Sequence, residues 1–128
     1  MILPSKELLS EVLKQEVTYL SDRLDNNLLP YQVANQEGWN TVNIHELAHL
    51  CKKWTLSFRF DNNPESNRYY KQRSGYEDKF NVETKKQEVL GYMTLTWGCL
   101  GHCKIFYANT EPEAIFLACE WVLEETKR

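Results

Sequence analysis

His45-Glu46-Leu47-Ala48-His49 sets two imidazoles four residues apart with a carboxylate between them. On a helix those imidazoles lie one turn apart on one face and can hold Zn²⁺, while Glu46 acts as general base on the metal-bound water. The chemistry would be metal-assisted hydrolysis. Uncharged neighbours, Leu47, Ala48, Leu50 and Cys51, suit a helix that faces a site. A third ligand is required, with His102 and the carboxylates Glu83, Glu88 and Glu120 on offer. Three features weigh against this chemistry. Glu46 falls three residues after Asn43, where a capping box uses a glutamate structurally. His45 then sits in the first turn of its helix instead of deep inside a longer one. Little chain remains to wall a substrate cleft. The residues therefore favour solvated helix-face histidines, with no metal and no catalytic residue. A zinc hydrolase using His45, His49, His102 and Glu46 is the alternative.

Two other clusters carry chemical potential. Cys99-x-x-His102-Cys103 gathers thiols and an imidazole, but the spacing fits no strong ligand template. Alternating positions on short strands account for it more simply. Arg68-Tyr69-Tyr70-Lys71-Gln72-Arg73-Ser74-Gly75-Tyr76 interleaves cations with aromatics, a combination that grips phosphate and stacks on bases. Glu65, Glu77 and Asp78 flank it and oppose a polyanion. Arg68, Tyr69, Tyr70, Lys71, Arg73 and Tyr76 are the candidate binding residues, for a protein partner first and for single-stranded nucleic acid as a further alternative. No glycine-rich phosphate loop and no serine nucleophile elbow occurs.

The elements that must position these groups follow from periodicity and caps. Ser5 predicts a helix over 6–16 with Leu8, Leu9, Val12 and Leu13 on one stripe. Residues 18–42, with Asp25-Asn26-Asn27, Pro30 and Gly38, read as irregular, holding one short strand over 28–33. Asn43 opens a second helix whose stripe is Ile44, Leu47, Ala48, Cys51 and Trp54. Thr55 to Phe60 alternates as a half-buried strand does. Residues 61–87 read as a long polar loop with a weak strand over 79–83. Strands over 88–97 and 103–108 follow, joined by a hairpin whose glycines are Gly98 and Gly101. Thr110-Glu111-Pro112-Glu113 is a capping box with proline in the first turn, and it opens a last helix to about 125. Its stripe is Ala114, Ile115, Ala118, Cys119 and Val122, flanked by Trp121.

The resulting expectation is an α+β fold, amphipathic helices packed on a small antiparallel sheet in the order α-α-β-β-β-α. At 128 residues, one domain spans 1–128: a leading helix (1–17), an irregular segment (18–42) and an α-β-β-β-α core (43–128). A composition 42% hydrophobic and 26% charged places the chain among folding sequences, away from disordered ones. The net charge of −3 supplies no overall field that draws it to nucleic acid or an anionic membrane. Four cysteines without a CxxC pair or an export signal predict reduced thiols and a cytoplasmic protein.

Ile44-His45-Glu46-Leu47-Ala48-His49 with Cys51-Lys52-Lys53-Trp54, and Asn109-Thr110-Glu111-Pro112-Glu113-Ala114-Ile115-Phe116 with Ala118-Cys119-Glu120-Trp121, resemble small prophage-encoded proteins of unknown function. Those proteins are similar to the phage α-β-α sandwich type. The likeness spans most of the chain and lies in structural caps and stripes, and the segment 61–87 has no counterpart in it. It implies an accessory protein of a phage or mobile element acting in the host cytoplasm, with no catalytic residue or cofactor to carry over. The expected function is non-enzymatic binding of a protein partner, such as a host or defence factor, through the loop 62–76 and exposed aromatics. Homo-oligomerisation is compatible with that expectation, and membrane association is not part of it.

Overall fold

Ser5 opens the first helix, α1 (Lys6–Leu13), by accepting a hydrogen bond from the Leu8 N–H at 3.1 Å. The computed structural model describes residues 1–58, 65, 70–74, 79–81, 86–88, 92–96 and 103–127. Lys14 takes the left-handed conformation at φ 56° and its N–H closes on the Ser10 carbonyl, so the helix stops at Leu13 and does not run to 16. The Ser10 hydroxyl donates to the Lys6 carbonyl and accepts from the Val17 N–H, which ties the helix to the strand after it. Leu8 and Leu9 are fully buried.

The stretch expected to be irregular instead builds a sheet. Strands β1 (Val17–Leu20), β2 (Leu28–Val33) and β3 (Asn40–Asn43) pair antiparallel in the order β1-β2-β3. The span of β2 is the one strand expected there. Its turn is made by Asn26 and Asn27, at φ 51° and 65°, between Asp25 and Leu28, which exchange hydrogen bonds of 3.1 and 2.8 Å. Asparagine tolerates two successive left-handed positions better than other non-glycine residues, and such turns match strand twist. Leu29, Tyr31 and Val33 of β2 face the core, while Leu28, Pro30 and Gln32 alternate to the outer face.

Helix α2 (Ile44–Thr55) starts with three satisfied amides. The Ile44 N–H donates to the Asn27 carbonyl at 2.8 Å, and the His45 and Glu46 N–H groups donate to Asn43 Oδ1 at 2.9 and 3.4 Å. Asn43 carries the cap, as its type and place predict. Asn43→Ala is expected to cost about 1–2 kcal/mol, read as a lower urea midpoint with unchanged slope.

The strand expected over 55–60 is corrected for residues 55–58. Thr55 is the last residue of α2 and is fully buried, one turn beyond Cys51 on the same stripe, and its hydroxyl donates to the Lys52 carbonyl. Leu56 and Ser57 then donate back to Lys53 and Trp54 in a closing turn. Residues 59 and 60 lie outside the described residues.

Five more strands are described: β4 (Tyr70–Ser74), β5 (Lys79–Asn81), β6 (Lys86–Glu88), β7 (Tyr92–Thr96) and β8 (Cys103–Phe106). β4, β7 and β8 form an antiparallel sheet in the order β4-β7-β8, and β5 pairs with β6. The long loop expected over 61–87 thus contains β4, β5 and part of β6. Of the strand expected over 88–97, residue 88 ends β6 and residues 92–96 form β7; residues 89–91 and 97 lie outside the described residues. The hairpin over 98–102 lies outside the described residues.

Helix α3 (Glu111–Thr126) closes the fold and packs on α2 and on β4, β7 and β8. Its core contribution is broader than the expected stripe, since Phe116 and Leu123 join Ala114, Ile115, Ala118, Cys119 and Val122 among the buried residues. The helices and antiparallel sheets agree with an α+β class. The order does not: among the described residues it is one helix, three strands, a helix, five strands and a helix.

Two carboxylates of α3 hold the beginning of the chain. Glu113 Oε2 accepts from the Ile2 N–H at 2.9 Å, and Glu120 accepts from the Ser5 N–H at 2.8 Å and from its hydroxyl at 3.1 Å. The Thr110 hydroxyl does not cap a backbone amide; it donates to Glu113 Oε1 at 2.7 Å. The expected capping box is therefore a side-chain pair, and Glu113 is buried beneath it.

Candidate functional site

His45 and His49 project from α2 one turn apart, both exposed, into a groove of about 420 Å³. Ala48 and Lys52 complete that wall of α2. Thr110, Glu111, Pro112 and Ile115 at the start of α3 form the other. The helix spacing read from sequence brings the two imidazoles to one side as expected. Glu46 is exposed one residue further round the helix and does not line the groove. Among the described residues no group of three His, Cys, Asp or Glu side chains could hold a metal ion. His102 lies outside the described residues, as do Glu83 and Cys99. Glu120 is bound to Ser5.

The groove is a shallow amphipathic slot: apolar at Ala48, Pro112 and Ile115, polar at the imidazoles, the Lys52 ammonium and the Glu111 carboxylate. The α2 amides that open towards it are already satisfied by Asn43 and Asn27, so that helix end offers no bare donors to an anion.

The basic and aromatic segment is redistributed by the strand it forms. Tyr70 is buried at 6% exposure, with its ring edge-on to Trp121 at 5.9 Å between centroids. Burial, and then the Glu125 carboxylate, raise its phenol above the ordinary tyrosine value. Tyr70 therefore packs against α3 through its ring. Lys71 and Arg73 occupy β4 opposite Leu95 and Met93. Arg68, Tyr69 and Tyr76 lie outside the described residues.

Gln72, also buried, donates through Nε2 to Thr55 Oγ1 at 3.3 Å and to Cys119 Sγ at 3.0 Å, and its Oε1 has no partner among the described residues. The Cys119 thiol donates to the Cys51 carbonyl at 3.6 Å. The hydrogen bond with Cys119, and then burial, push the Cys51 thiol far above its ordinary range. Both thiols are buried, and a neutral buried thiol is a poor nucleophile and a poor ligand. This cluster ties α2, β4 and α3 together.

One feature of the surface is absent from the sequence reading. Tyr19 and Trp39 are each 53% exposed and meet edge-to-face with ring centroids 5.3 Å apart. Tyr19 pairs with Gln32 in the central strand β2, and Trp39 directly precedes Asn40, the partner of Tyr31. The two rings come together on the outer face of the sheet at the Gln32 end of β2, and Pro30 and Leu28 continue that face along the strand. Only strand register joins residues twenty positions apart, and a segment whose sequence reads as irregular discloses no register. A register shift between Val17 and Tyr19 turns Tyr19 outward although Val17, two residues earlier, is buried, so strand alternation gives no signal for it.

No described helix is long and apolar enough to cross a membrane. No protein-family model, curated protein or solved structure matches the chain.

Proposed function

We propose that the chain is a non-enzymatic accessory protein that binds a protein partner through the outer face of β1, β2 and β3. The observation that carries this reading is the Tyr19–Trp39 pair, two large rings held half-exposed by contact with each other. Tyrosine and tryptophan dominate the energy of protein interfaces because they bury much area with few torsions to freeze. A pair already braced edge-to-face loses less freedom on binding than two independent side chains. The turns at the ends of this sheet carry exposed Glu16, Asp22, Asp25 and Glu37 against Lys14 and Arg23. The complementary partner is a protein with an apolar socket rimmed by lysine and arginine. A mobile-element origin, the host cytoplasm and a host or defence factor as partner rest on the sequence resemblance alone.

A Tyr19→Ser/Trp39→Ser double variant tests the reading. Both positions are exposed, so thermal stability should stay close to the parent, within the small range of surface changes. Binding to a partner identified with the parent chain and reconstituted from purified protein is expected to weaken by about 100-fold or more, as for two interface anchors. Association should also slow as salt rises. Undiminished binding by the double variant, or self-association by this face as the only interaction, overturns the proposal.

A further inference from the structure

We infer that His45 and His49 together chelate one borderline transition-metal ion, of which zinc is the commonest biological example, at the rim of the groove between α2 and α3. The site is independent of the aromatic face proposed above.

The argument begins with spacing. Residues four apart on a helix have Cβ atoms about 5–6 Å apart on one face, within reach of a shared ion. The structure places both imidazoles at the wall of the same groove. Both side chains are exposed, so they can turn to a common point without disturbing the core. Neutral imidazole nitrogen is a borderline donor that suits zinc, copper and nickel better than magnesium or calcium.

The charges nearby can be weighed. His45 stands in the first turn of α2, whose positive dipole end disfavours a cation by at most about five-fold at a surface position. Lys52 on the same wall also opposes a cation, whereas Glu46 beside His45 and Glu111 on the facing wall favour one. Two-point chelation outweighs the dipole, since losing a ligand from a metal site costs more than losing a supporting residue, and supporting residues alone cost 10–100-fold.

Because no third ligand joins them among the described residues, the remaining coordination positions are left to water or to a side chain from a bound partner. Glu46 is not in the groove, so this is a clasp and not a hydrolytic centre.

The test is calorimetric titration of the full, reduced chain with zinc chloride alone, followed by Cu²⁺-induced broadening of histidine resonances. One zinc per chain is expected. His45→Ala and His49→Ala should each weaken binding at least ten-fold, whereas His102→Ala and Cys99→Ser/Cys103→Ser should leave it unchanged. Cu²⁺ should broaden the ring signals of His45 and His49 before that of His102. Absence of saturable binding, affinity unchanged in both histidine variants, or affinity lost in the cysteine variant overturns the inference.

Discussion

Phe116→Ala is expected to destabilise the protein by about 3–5 kcal/mol, the cost of removing a large buried ring together with that of the void it leaves. Phe116 is fully inaccessible and heads the largest wholly buried side chains. It belongs to the cluster that joins Leu8 and Leu9 of α1, Leu29 and Tyr31 of β2, Leu47 and Cys51 of α2, and Ile115 and Cys119 of α3. A hole there is walled by three helices and a sheet, which cannot all close in at once. For a chain of this size the midpoint of thermal unfolding should fall by on the order of 10–20 °C. Differential scanning calorimetry checks this. Phe116→Leu should lose much less, since most of the volume is kept.

The second large effect is expected from a polar residue. Glu113→Ala should cost about 2–3 kcal/mol, because the carboxylate takes hydrogen bonds from the Ile2 N–H and the Thr110 hydroxyl, and both donors are left unpaired in part-buried surroundings. Urea unfolding at pH 7 measures the loss, and faster exchange of the Ile2 amide places it. Glu113→Gln should fall between the parent and the alanine variant, since the amide keeps one acceptor oxygen. Glu124→Ala is the contrasting control. Its ion pair with Lys127 at 3.3 Å lies in solvent, where long side chains gain little from pairing, and no measurable change is expected. If Glu113→Ala behaves like that control, the hold of α3 on residues 1–5 contributes nothing to stability.

What the residues disclosed in advance depended on how local the deciding physics is. The caps of α1 and α2 are local: Ser5 and Asn43 each bond to amides two or three residues ahead, and both starts were readable. The span of β2 was readable because Leu29, Tyr31 and Val33 alternate inward. β1 and β3 were missed because Val17–Leu20 and Asn40–Asn43 are four residues each and become strands only by pairing with β2. Thr55 misled because a β-branched residue before Leu-Ser-Phe suggests a strand, whereas its place four residues after Cys51 keeps it on the helical stripe.

The same division runs through the site. The one-turn spacing of His45 and His49 was legible, but their opposing wall, Thr110 to Ile115, is set by how α2 meets α3. Tyr70 looked like a surface aromatic among cations. Its inward alternation with Gln72 along β4 makes it a partner of Trp121.

The position of α3 in the chain also bears on biosynthesis. Residues 1–110 all leave the ribosome before the helix that carries Phe116, Ile115 and Cys119, so Leu8 and Leu9 lack the share of their cover that α3 supplies until it emerges. Contacts spanning more than a hundred residues, such as Ser5 with Glu120, cannot form while the nascent chain is incomplete. Completion of the core is therefore deferred until the helix is made, and apolar surface that α3 covers in the finished fold is exposed in that interval.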